Sequence, residues 1–218
     1  MSFRLFAAIA ATSLSLFTLA CSAKDASEYV EGKHYKVVRE VAEPSDNKRI
    51  AVEEFFWYGC GHCYNFEATV EPWAERLPAD VDFVRVPNSL GRPIGLLHSK
   101  AYYTAETLKL IDSVHPKLFE AMHVRRLPLS TEAQIVGVFE ANSPVMPDVV
   151  ENTLKGFAVD ARVRRAESLS RGYGVTSTPT LVVGGKYYTN PSLAGGFDEM
   201  VDLADMLIEK VRQERAKP

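Results

Sequence analysis

Two cysteines, two residues apart, stand where an apolar strand gives way to a helix, and they constrain this chain more than any other feature. The stretch is Glu53-Glu54-Phe55-Phe56-Trp57-Tyr58-Gly59-Cys60-Gly61-His62-Cys63-Tyr64. Its apolar, aromatic run reads as a buried strand ending at Gly59. Cys63, Phe66, Val70, Ala74 and Leu77 then recur at three- and four-residue intervals, the period of an amphipathic helix. Cys60 therefore falls at the first turn of that helix. Free backbone N–H groups at a helix N-terminus stabilise negative charge. They favour the thiolate of Cys60, which is the nucleophilic form. Cys63, one turn further in, reaches the same sulfur from a shielded position. The spacing predicts an attacking and a resolving cysteine that open and close a disulfide. His62 lies between them. A bond from its imidazole, or from a nearby N–H, to the Cys60 sulfur would stabilise the reduced form and make the disulfide more oxidising.

Other uses of such a pair fit less well. Zinc sites usually take four ligands, and no second Cys-x-x-Cys or paired-His motif occurs, so no metal is expected. An inert structural disulfide across so short a loop would constrain the unfolded chain very little.

The chain has 218 residues, a net charge of -3 and three cysteines. That length suits one good-sized domain, or a domain with an insertion. The small negative charge gives no reason to expect nucleic acid binding. Arg4 and the apolar run from Leu5 to Leu19 read as a secretory signal. The run is short for a permanent membrane span, and no basic flank follows it. Export into an oxidising compartment, the periplasm of a bacterium, is the expectation. Two routes are open for the remaining cysteine. Thr18-Leu19-Ala20-Cys21 resembles a bacterial lipoprotein signal, which would leave a lipidated Cys21 and a polar tether. Ordinary cleavage near Ala23 would discard Cys21.

Along the chain, residues 1–23 are leader and tether. His34 to Val38 reads as a short strand, Pro44-Ser45-Asp46-Asn47 as a turn, and Arg49 to Tyr58 as the central strand, with the look of a parallel-sheet strand buried on both faces. Pro72 should kink the following helix and Pro78 mark its end. Val81 to Val86 alternates like a strand. From 91 to 172 the pattern is helical only. Pro116 and Pro147 open two helices, Thr131-Glu132-Ala133-Gln134 is a capping box, and Arg162, Arg164 and Arg165 form a solvated face. Val149, Val150 and Leu154 point inward. After Gly174, Leu181-Val182-Val183 and Lys186-Tyr187-Tyr188 flank a two-residue turn, Gly184-Gly185. Met200, Val201, Ala204, Leu207, Ile208 and Val211 then line one face of a last helix. Three folded segments result: 34–90, 91–172 and 173–215.

The strand Val52 to Tyr58, the motif Cys60-Gly61-His62-Cys63, the helical stretch, and Val175-Thr176-Ser177-Thr178-Pro179-Thr180 before a hairpin together resemble the DsbA family of bacterial periplasmic thiol:disulfide interchange proteins. The resemblance covers nearly all of the chain after its leader. It implies an α/β thioredoxin fold with an inserted all-helical domain, and an oxidase that gives its Cys60–Cys63 disulfide to exported proteins without metal or organic cofactor. It further implies reoxidation by a quinone-linked membrane partner resembling DsbB. A depressed thiol pKa and an oxidising disulfide are properties of that family, so the resemblance implies them as well. On this resemblance Pro179 is a cis-proline packed against the disulfide, and the backbone of Thr178 is open to strand addition by an extended substrate. Glu54 matches a buried acid that exchanges protons with Cys63. Its plainer reading is a strand carboxylate paired with a base such as Arg85. Glu53 is expected to be solvated, Glu67 a surface charge, and His98, His115 and His123 structural or surface residues.

Two positions depart from the family pattern. Many members have proline after the first cysteine and valine before the cis-proline; here stand Gly61 and Thr178. Cys-Gly-His-Cys resembles the motif of protein disulfide isomerases, and threonine before the cis-proline occurs in bacterial disulfide isomerases. An isomerase or reductase on the same scaffold is therefore the nearest rival. A binding module with an incidental disulfide, and a glutathione-dependent enzyme, which would normally lack Cys63, are more distant. No segment for a separate dimerisation domain is present, which favours a monomeric oxidase.

Overall fold

A computed structural model describes residues 29–41 and 48–217. The leader, Cys21 and the turn expected at Pro44 to Asn47 lie outside the described residues. Five strands, β1 (Lys36–Val37), β2 (Ile50–Phe56), β3 (Val81–Pro87), β4 (Thr180–Val183) and β5 (Tyr187–Thr189), form one mixed sheet in the order β1-β5-β4-β2-β3. β2 runs parallel to β3 and antiparallel to β4, with Glu54 opposite both Arg85 and Leu181. The middle of the sheet is thus β4, not β2. Four consecutive buried residues, Thr180 to Val183, suit a strand paired on both edges and covered on both faces. β1 is shorter than the stretch His34 to Val38, because Gly32 at φ 84 turns the chain back and Tyr35 pairs with Glu31.

Helix α1 (Gly61–Glu75) continues through Pro72. That proline lies in the last turn, where it removes only the bond to Ala68. Between β3 and β4 lie α2 (Pro93–Thr107), α3 (Ile111–His123), α4 (Glu132–Asn142), α5 (Pro147–Leu154) and α6 (Phe157–Tyr173). α3 begins five residues before Pro116, which sits inside it. The lost bond to Asp112 is offset by burial of Val114, His115, Leu118 and Phe119. The capping box is only half reciprocal: Gln134 N donates to Thr131 Oγ1 at 3.3 Å, while Gln134 Oε1 accepts from Ser130 N at 2.8 Å. Val149 proves exposed, although Val150 and Leu154 are buried. Arg162, Arg164 and Arg165 are exposed as expected, but Arg162 also caps the Tyr103 ring at 4.8 Å.

The β4–β5 register pairs Val183 with Tyr187, so the loop holds three residues, Gly184, Gly185 and Lys186. Both glycines have positive φ, 61 and 67. A Cβ on Gly184 would stand 2.8 Å from Val211 of α8 (Phe197–Ala216), so glycine is needed there for space as well as conformation. A short α7 (Pro191–Ala194) precedes that helix.

The sheet separates two cores. Val52, Leu181 and Val183 pack with Phe66, Val70 and Trp73 of α1 and with the apolar face of α8. Phe55, Phe56, Val86 and Val182 pack with the inserted helices. The end of β2 is where the two cores meet, and the cysteine pair follows directly.

Candidate active site

The chain leaves β2 through a tight turn in which Cys60 N donates to Trp57 O at 2.9 Å. A Cβ on Gly59 would lie 2.3 Å from Trp57 Cζ2, so a larger residue here would have to displace the indole. Cys60 is the N-cap of α1, in an extended conformation, so the amides of the first turn converge on its side chain. Its Sγ donates to Thr178 O at 3.3 Å. That carbonyl favours the thiol, but it is outweighed. The Cys63 thiol first, then the Thr178 side chain and the amides of Cys63 and His62, donate to the sulfur and overcome its partial burial, so its pKa falls to about 5. The Cys63 thiol is the leading donor, and the amides of the helix N-terminus add the smaller share. The amide of His62, and not its ring, touches the sulfur. The imidazole is exposed and lies edge-on to Phe197 with centroids 6.5 Å apart.

Cys63 is fully buried. Burial, followed by its bond to Cys60 and the charge on Cys60, pushes its pKa well above 9.0. Beneath it Glu54 is also fully buried, and burial raises its pKa to about 8 against the pull of Arg85. The Arg85 Nε lies 3.3 Å from Glu54 Oε2, so the ion pair and the buried acid coexist. The same guanidinium reaches Glu67 at 3.5 Å and Glu71 at 2.5 Å.

Two expectations are corrected here. Glu67 is not a surface charge: it is largely buried, bonded to Arg85 and 3.3 Å from His115 Nε2. It stands four residues after Cys63, on the same helix face, which is the signal that could have placed it. Glu53 is not solvated either. It lies on the opposite face of β2, where burial raises its pKa despite a hydrogen bond with Tyr173. His98, His115 and His123 all converge on Trp57 and Tyr58.

Register brings in the last pieces. Thr180 lies opposite Phe55, which carries the preceding residues Thr178 and Pro179 alongside the turn that holds Cys60. The Thr178–Pro179 bond is cis, and Pro179 is buried. Gly61 is exposed, and a Cβ there would meet nothing within 4 Å, so the face of the site beside Cys60 is open.

Glu67, Glu71 and His115 could offer metal-ligand atoms, all within 4.8 Å of one another. They line a cavity of about 510 Å³ together with Tyr64, Arg85 and Phe119. The guanidinium of Arg85 supplies positive charge to both carboxylates, while Glu67 Oε1 and His115 Nε2 are buried without a hydrogen-bond partner.

A profile of the DSBA-like thioredoxin domain matches residues 51–207. Among curated proteins, the thiol:disulfide interchange protein DsbA of Pseudomonas aeruginosa is 40% identical over 198 residues, 91% of this chain and 92% of that protein. DsbA of Bordetella pertussis is 34% identical over 212 residues, 96% of this chain and 97% of that protein. The crystal structure of Pseudomonas aeruginosa DsbA superposes with a TM-score of 0.82 at 38% identity, covering 88% of this chain and 98% of that one. The thioredoxin fold with its inserted helices is thus shared, and the chain belongs to the DSBA-like thioredoxin domain family.

Proposed function

We propose that Cys60 and Cys63 carry out thiol–disulfide interchange in the direction of oxidation, giving their disulfide to reduced proteins exported from the cytoplasm. The protein is a thiol–disulfide oxidoreductase by family. The observation that carries the direction is the opposed ionisation of the two sulfurs, one pKa lowered to about 5 and the other raised well above 9.0. A thiol that ionises so easily is a good leaving group and stabilises the reduced state of the pair.

In the reaction a substrate thiolate attacks Cys60 Sγ of the disulfide, and the bond to Cys63 breaks. The Cys63 sulfur leaves with the electron pair and takes a proton through Glu54, whose pKa burial raises against the pull of Arg85. A second substrate thiolate then attacks the substrate sulfur of the mixed disulfide and expels the Cys60 thiolate. The substrate leaves oxidised by two electrons and the pair is reduced. His62 contributes its amide. Gly61, Thr178 and Pro179 form the substrate contact, with an extended chain pairing against the Thr178 backbone. The apolar rim between the two subdomains would hold unfolded chains without sequence preference.

The same reading assigns segments 34–90 and 173–215 to the thioredoxin part and 91–172 to the insertion, supported by the end of β3 at Pro87 and the start of β4 at Thr180. It places the protein in the periplasm as a monomer, reoxidised by a quinone-linked membrane protein resembling DsbB. The apolar leader supports export. No helix among the described residues is long and apolar enough to cross a membrane. Lipidation of Cys21 would add an anchor.

The deciding experiment is the equilibrium of the pair with glutathione, with Cys60 thiolate absorbance followed against pH in the same sample. A strongly oxidising equilibrium and a titration midpoint near 5 are expected. A poise near that of thioredoxin with a near-neutral midpoint would overturn the oxidase in favour of a reductase or isomerase.

A further inference from the structure

The turn from Trp57 to Cys60 touches both sulfurs. It ends in Cys60, and the Trp57 amide bonds the Cys63 sulfur. Its side chains and one carbonyl are held from outside, by three histidines of the inserted helices. From α2, His98 Nδ1 accepts from the Trp57 indole N–H at 3.0 Å, and the two rings stack at 6.1 Å. From α3, His115 Nδ1 meets the Tyr58 hydroxyl at 2.7 Å. At the end of α3, His123 Nε2 donates to the Tyr58 carbonyl at 2.7 Å while its ring stacks on Tyr64, one residue after Cys63, at 5.0 Å.

The His98 tautomer is set by what lies behind the ring. The His98 Nε2–H donates to the Leu129 carbonyl at 3.2 Å, which leaves Nδ1 free to accept. Leu129 is buried with φ 46, a left-handed conformation that is costly for a bulky side chain. The fold therefore holds strain at the residue that orients His98. His115 Nε2 faces Glu67 at 3.3 Å while its Nδ1 shares the hydrogen bond with the Tyr58 hydroxyl. Each ring thus offers the turn a hydrogen-bond partner.

We propose that His98, His115 and His123 are positioning residues that lock the Trp57–Cys60 turn to the inserted helices and so fix the hydrogen-bonding geometry around both sulfurs. The insertion is then part of the redox apparatus as well as a wall for substrates. The clasp makes the sulfur environment depend on how the inserted helices sit against the sheet.

His98 and His123 give the cleaner test, because His115 also borders the Glu67–Arg85 network. In the full-length protein, His98→Ala and His123→Ala are expected to raise the Cys60 thiolate midpoint and to shift the glutathione equilibrium toward the disulfide by about threefold to tenfold, the weight of one hydrogen bond. His123→Gln keeps an N–H donor at the Nε2 position and is expected to recover most of the change. Should an alanine variant not fold, Trp57→Phe removes the indole N–H from the other side and is read in the same way. Midpoint and equilibrium within twofold of wild type, whatever the melting temperature does, would overturn the proposal, as would His123→Gln behaving like alanine. The inference rests on an ionised Cys60. A wild-type midpoint near that of a free thiol would sink that reading instead, so the two failures are told apart.

Discussion

The rim of the site and its floor hold the same chemical group and treat it in opposite ways. At the rim, Cys60 is half-buried, and donors from Cys63, Thr178 and the first turn of α1 surround its sulfur. At the floor, Cys63 and Glu54 are fully buried, and burial is the leading influence on both. The three-residue step along one helix is enough to separate a thiolate from a thiol. Roles in such a pair are assigned by hydrogen bonds and burial, not by residue type. Glu53 and Glu54 make the same point in reverse. Both are carboxylates raised by burial on neighbouring positions of β2, yet only Glu54 faces the sulfurs.

The largest test of this contrast exchanges the two cysteines for serine in turn. Cys60→Ser should abolish oxidation of a reduced protein substrate, a loss of roughly a thousandfold or more as for removal of any covalent nucleophile. Cys63→Ser should keep a nucleophile that forms mixed disulfides, so covalent adducts seen by mass spectrometry are expected with Cys60 alone. Equal adduct formation by both single-cysteine proteins would break the comparison.

A smaller effect is expected at the floor. If Glu54 supplies the proton to Cys63 as proposed, Glu54→Gln should slow reduction of the disulfide by about tenfold or more. Glu53→Gln, on the far face of the sheet, should leave that rate unchanged. If stopped-flow rates respond alike to both, burial of charge and not proton supply is what matters at Glu54.

At the rim, Thr178→Val removes one donor to Cys60 and should raise its thiolate midpoint by about one unit, the worth of a single hydrogen bond. An unchanged midpoint would leave the Cys63 thiol and the amides to account for the whole effect.

The smallest and most graded effect concerns pH. A folded-state pKa near 5 lies below that of the unfolded thiol, so the Cys60 thiolate stabilises the folded reduced protein at high pH. The contribution is lost as pH falls through about 5. Reduced protein should therefore melt above oxidised protein at pH 7, with the gap closing toward pH 4. A gap that is flat across this range would contradict the ionised Cys60.

Much of the fold could be read along the chain. The strand before the pair, α1, the helices opened by Thr131 and Pro147, the hairpin and α8 all show their periodicity or their capping residues locally. The errors have a common origin. Pro116 looks like a helix start because proline is favoured there, but burial of Val114 and His115 extends α3 across it. Glu53 and Glu67 look like surface charges because charged residues usually are. Their burial depends on Tyr173 and Arg165 around one, and on Arg85 and His115 around the other. Those partners are distant in sequence.

By itself, then, the sequence determined the cysteine pair, the strand-to-helix junction that sets the two apart, and the family's scaffold with its helical insertion. These rest on local spacing, on capping and on contiguous motifs. The tertiary structure alone decided that the Arg85 expected beside Glu54 also holds Glu67, that Glu53 is buried against Tyr173, and that three histidines from the insertion grip the turn between strand and helix. Each of these joins residues tens of positions apart or more, or depends on which face of a strand or helix is covered. No periodicity within a single segment carries that information, because it is fixed only when sheet register and helix packing bring the segments together.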